Sequence, residues 1–73
     1  MNYLVIELQT TGGVTSNIVS QYDNLPAAEQ KFYLVCSSAV VSQVETHAVI
    51  LMDSTGCFIR NECFTHTQPE PNT

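Results

Sequence analysis

The chain has 73 residues, enough for one small domain, and at this size folding buries only about 60% of the surface that the unfolded chain exposes. Charged residues make up 12% of it, about half the usual share, and two basic side chains (Lys31 and Arg60) against seven acidic ones give a formal charge of −5. This balance argues against nucleic acid as a direct ligand, since backbone binding rests on clustered Lys and Arg, and no run approaches the ~20 apolar residues that a membrane helix needs.

Residues 2–9 alternate Leu4, Ile6 and Leu8 against Tyr3, Val5, Glu7 and Gln9, a period-2 pattern that predicts a strand. Thr10-Thr11-Gly12-Gly13 reads as a turn, because paired glycines accept the positive φ angles of a hairpin loop. Val14 to Tyr22 then returns antiparallel. It is rich in Ser, Asn and Gln and belongs at a sheet edge. Asp23-Asn24-Leu25-Pro26 marks a helix start: Asp or Asn caps the free amides, Pro26 is tolerated in the first turn, and Glu29 favours the positive end of the dipole. The helix is predicted from Leu25 to about Val41, with Leu25, Ala28, Phe32, Val35, Cys36 and Ala39 as its core stripe. Thr46 to Asp53 alternates Ala48, Ile50 and Met52 against His47, Val49 and Leu51. Asp53-Ser54-Thr55-Gly56 is a turn, and Cys57 to His66 is the return strand. Residues 1–66 form a single domain, and 67–73, with two prolines and no apolar residue, are predicted to be a disordered tail.

This order predicts an α+β fold: a two-layer ββαββ sandwich whose antiparallel four-stranded sheet carries one helix on one face. Both faces of the strands are apolar, and one helix covers only one of them. Tyr3, Val5, Val49, Leu51, Phe58 and Phe64 are expected on the uncovered face, flanked by His47, Arg60 and Glu62. The expected cover is a second copy, making the chain a homo-oligomer, with a dimer favoured. Pairing of edge strands is the other symmetric solution. The alternative is a small acidic inhibitor or regulator that docks a host or phage protein through the same face.

The side chains that could carry chemistry form no familiar catalytic frame. Three cysteines without a secretory leader read as reduced thiols in a cytoplasmic protein. Cys57, Cys63, His47 and His66 are metal-ligand types. Cys57 and Cys63, however, lie six residues apart on one strand, about 20 Å if it is regular, so no shared ion and no cofactor is expected. Cys36 reads as a small core filler. A hairpin closing around Ser54-Thr55 sets His47 opposite Glu62, a cross-strand pair at an interface rim rather than a catalytic one. Tyr3, Phe58 and Phe64 on a sheet could stack bases, but the acidity argues against RNA. The chain is therefore expected not to be an enzyme.

Tyr3-Leu-Val-Ile-Glu-Leu-Gln-Thr10, Ala28-Glu-Gln-Lys-Phe-Tyr33, Ala39-Val-Val-Ser-Gln-Val44, His47-Ala-Val-Ile-Leu51 and the stretch from Gly56 to His66 resemble a group of short proteins of gut Firmicutes and their prophages. The proline-bearing tail Gln68-Pro69-Glu70-Pro71 is similar to theirs as well. The group has no assigned activity. The resemblance implies a phage-associated setting and carries over no catalytic or binding residue.

Overall fold

The structure, a computed structural model, describes residues 1–66; the tail expected over 67–73 lies outside the described residues. The elements are β1 (Tyr3–Thr11), β2 (Val14–Tyr22), α1 (Leu25–Val40), β3 (Thr46–Asp53) and β4 (Phe58–Thr65). All four strands join one antiparallel sheet in the order β2-β1-β3-β4, an α+β fold of the ββαββ kind. The polar strand β2 is at an edge, and β4 forms the other edge.

β1 runs through Thr10 and Thr11 because the first turn needs only Gly12 and Gly13, at φ 61° and 81°. Two successive positive φ angles give the loop a twist that matches the strands, and the pairing continues out to Thr11 opposite Val14. Asn24 caps α1: its backbone is extended and its Oδ1 accepts from the Ala27 amide at 2.9 Å, with Pro26 in the first turn. Glu29 falls beyond that turn and does not serve the dipole; its carboxylate instead accepts from Arg60 Nε at 3.3 Å. At the other end, the Ala39 carbonyl accepts from the Ser42 amide at 3.2 Å and from His66 Nε2 at 2.7 Å, which ties the end of β4 to the helix.

The helix stripe packs as its spacing predicts. Ala28, Phe32 and Val35 are buried in one cluster with Val5, Val49 and Leu51, Leu25 and Cys36 pack at its margin, and Ala39 is buried as well. The sheet face under the helix is the opposite of the expected one. Tyr3, Val5, His47, Val49 and Leu51 face α1, whereas Leu4, Ile6, Leu8, Ala48, Ile50 and Met52 lie on the uncovered side. The strand order supplies the physical reason. β2 and β3 are both antiparallel to β1, so they run parallel to each other and α1 is a crossover that passes over β1. Such crossovers are right-handed in about 98% of cases, which ties the helix to one face whichever is the more apolar.

In the second hairpin, Asp53 Oδ1 accepts from the Thr55 amide at 2.9 Å, the Thr55 hydroxyl at 2.5 Å and the Cys57 amide at 3.2 Å, while Gly56 takes φ 94°. These bonds, the Thr55 hydroxyl first, hold the Asp53 carboxyl below the usual range. A carboxyl whose folded value is depressed stabilises the fold above its unfolded value and loses that effect as the pH falls through the folded one. Asp53→Ala is therefore expected to lower the melting temperature at pH 7, and the gap from the parent should begin to close below about pH 4. Thermal melts across pH 2 to 7 check this.

Candidate interaction surface

Paired residues on neighbouring strands point to the same side, so the register defines the uncovered face strand by strand. β1 contributes Leu4, Ile6, Leu8 and Thr10; opposite them β2 places Gln21, Val19, Asn17 and Thr15. β3 contributes Met52, Ile50, Ala48 and Thr46, and β4 places Phe58, Asn61, Cys63 and Thr65 against these. None of these residues is charged. The central strands are aliphatic apart from one threonine each, and the polar residues of the outer strands are neutral amides and hydroxyls. Every charged residue of the four strands, namely Glu7, Asp53, Arg60 and Glu62, belongs to the helix side, as does His47.

The residues expected to form this surface are divided by the structure. Val5, Val49 and Leu51 are at most 1% exposed and His47 is 3% exposed, so they form the core under α1 rather than a contact surface. Tyr3 packs against that core. Arg60, Glu62 and Phe64 lie on the helix side of β4 and line a groove of about 490 Å³ between it and α1, together with Phe32, Tyr33 and Cys36. Phe58 alone of the set lies on the uncovered side. A β-bulge where β4 passes Leu51 and Met52 inserts one residue and sets Phe58 opposite Met52, 69% exposed. Leu4, Ile6, Leu8, Ala48, Ile50 and Met52 take the place of the expected surface. Their alternation was plain in the sequence, and only the strand order could assign it to the open side.

His47 does not meet Glu62. The turn is longer than a closure around Ser54-Thr55, so Phe64 stands opposite His47 and Glu62 opposite Val49. His47 Nε2 lies 2.6 Å from Glu7 Oε2, which also accepts from Gln9 Nε2 at 2.9 Å, while His47 Nδ1 is buried with no hydrogen-bond partner among the described residues. Glu7 lines a small cleft of about 170 Å³ beside Lys31 and Ser38, and His47 is not part of that lining. The pair is thus a polar contact within the core. The period-2 alternation places Glu7 and His47 on one face, and the pairing of β1 with β3 brings them together. Glu7→Ala is expected to cost about 1 to 3 kcal/mol, because the buried imidazole loses its one hydrogen bond, and Glu7→Gln should cost less. Urea denaturation of both variants checks this.

Cys36 packs beside the core as a small filler, and burial, followed by the nearby Glu62 carboxylate, pushes its thiol up. It therefore stays protonated and is a poor nucleophile. Cys57 and Cys63 are exposed, and all three cysteines are free. Among the described residues no three His, Cys, Asp or Glu side chains converge on a point that could hold a metal ion, and no helix is long and apolar enough to cross a membrane. No protein-family model matches the chain, and neither curated proteins nor solved structures offer a match.

Proposed function

We propose that this chain is a non-enzymatic assembly module that self-associates through the uncovered face of its sheet, with Leu4, Ile6, Leu8, Ala48, Ile50 and Met52 at the centre of the contact. The observation that carries the reading is the segregation of charge: one apolar face of the sheet has no charged residue on any of its four strands. A chain of charge −5 repels its own copies across most surfaces, and this face brings no like charges together. A symmetric contact requires a patch that complements itself, and neutral amides, hydroxyls and aliphatic side chains do so.

Size also supports a second copy as the cover. Four strands about 4.8 Å apart and some eight residues long at about 3.3 Å each present roughly 500 Å². Two such faces give about 1,000 Å², the lower end of specific interfaces. Stacking them yields a four-layer particle with a helix layer on either outside. The phage-associated setting implied by the resemblance is in keeping with a small structural or adaptor role.

Association that stabilises the folded chain makes its melting temperature depend on protein concentration. The melting temperature should therefore rise steadily over a hundredfold increase in concentration. A value independent of concentration would overturn the reading.

A further inference from the structure

We infer that the chain carries a second self-contact, independent of the uncovered face: the edge of β4 pairs antiparallel with β4 of another copy about a two-fold axis at Asn61. β4 is the edge strand beyond β3, and every residue in it except Phe64 is exposed. An open edge offers unpaired amides and carbonyls, and natural edges are commonly guarded by charges that repel a second strand. The charges on β4 do the reverse. Arg60 and Glu62 sit two residues apart on one face, opposite in sign, with Asn61 between them on the other face.

Symmetry restricts the possible registers. A two-fold axis normal to the sheet leaves each side chain on its own face, so it must pass through a residue that stands opposite itself. An axis at Arg60 or Glu62 sets like charges directly opposite, which destabilises a strand pair. An axis at Asn61 sets Arg60 against the other copy's Glu62, and Glu62 against the other copy's Arg60, on the helix side. The two Asn61 amides, each a donor and an acceptor, meet on the uncovered side. Glu62 makes no ion pair among the described residues; Arg60 reaches Glu29 through Nε and lies 5.8 Å from the centre of the Tyr33 ring, and its terminal nitrogens make no hydrogen bond among the described residues, which leaves them for the second carboxylate. The bulge around Ile59 disturbs both flanks, so the match spans Ile59 to Cys63. Edge pairing would join the two sheets into one of eight strands with both helices on the same side, and would leave the uncovered faces continuous.

Cross-linking tests this register. In full-length chain carrying Cys36→Ala, Cys57→Ser and Cys63→Ser, Asn61→Cys sets two thiols directly opposite. Mild oxidation should link it at least tenfold faster than a Gln30→Cys control on the exposed side of α1. Adding Arg60→Glu should slow linking at least tenfold, and adding Glu62→Arg to that variant should restore it. The restoration is diagnostic, because the double change does not rebuild the Arg60 contact with Glu29. Circular dichroism confirms that each variant is folded. Linking at residue 61 no faster than at residue 30, or a folded Arg60→Glu variant that links at the parent rate, would overturn the proposal. Ile6→Lys lies on the uncovered face of β1, which is not a neighbour of β4, so loss of the face contact and loss of the edge contact are read separately.

Discussion

Phe32→Ala should lower the melting temperature by more than about 10 °C. Phe32 is 2% exposed at the centre of the helix stripe and packs into the cluster with Val5, Val49 and Leu51. Removing a buried phenyl ring costs about 3 to 5 kcal/mol in transfer and cavity terms. A 73-residue chain has only about 4 to 11 kcal/mol in total. Leu51→Lys should be at least as damaging, since it forces an ammonium group into the same cluster, none of whose members carries a carboxylate. Far-ultraviolet circular dichroism and a thermal melt would show this directly. A Leu51→Lys protein that melts at the parent's temperature would mean that the helix does not cover this face.

Ile50→Lys, one residue away on the same strand, should have the opposite consequence. Ile50 faces the uncovered side, opposite Ile6 on β1 and Asn61 on β4. In the isolated chain a lysine there can lay its stem along the neighbouring aliphatic side chains and hold its ammonium group in water, at a cost within about 1 kcal/mol. In a stacked pair the same charge would be buried without a partner, which costs several kcal/mol. The expected result is a folded chain whose self-affinity falls by at least a hundredfold. Sedimentation equilibrium of the variant beside the parent checks both parts. A folded Ile50→Lys protein with the parent's affinity would remove the uncovered face from the contact.

The two adjacent substitutions mark the boundary of what the sequence made legible. Elements and helix stripe could be read locally: alternation in Tyr3 to Gln9 and Thr46 to Asp53, paired glycines after Thr11, Asn24 before Pro26, and the 3- and 4-residue spacing from Leu25 to Ala39. That one apolar face would lack cover followed from the same pattern. Which face it would be did not follow, because Leu4-Ile6-Leu8 and Tyr3-Val5 are both credible core sets. The choice depends on β3 lying beside β1, so that α1 crosses over it, and local periodicity contains no information on strand order. The Glu7–His47 contact was hidden for the same reason. The misplacement of Glu62 has a smaller cause: the Asp53 side chain stabilises a turn longer than two residues, and the bulge beyond it moves the register of β4.

Light scattering behind size exclusion, on the unmodified chain over a wide range of concentration, measures self-association without any substitution. Self-association predicts a stable multiple of the 8.1 kDa chain mass at the upper end, falling toward that mass on dilution. A mass that stays at 8.1 kDa throughout would contradict it, and would leave the uncharged face of the sheet to a foreign partner.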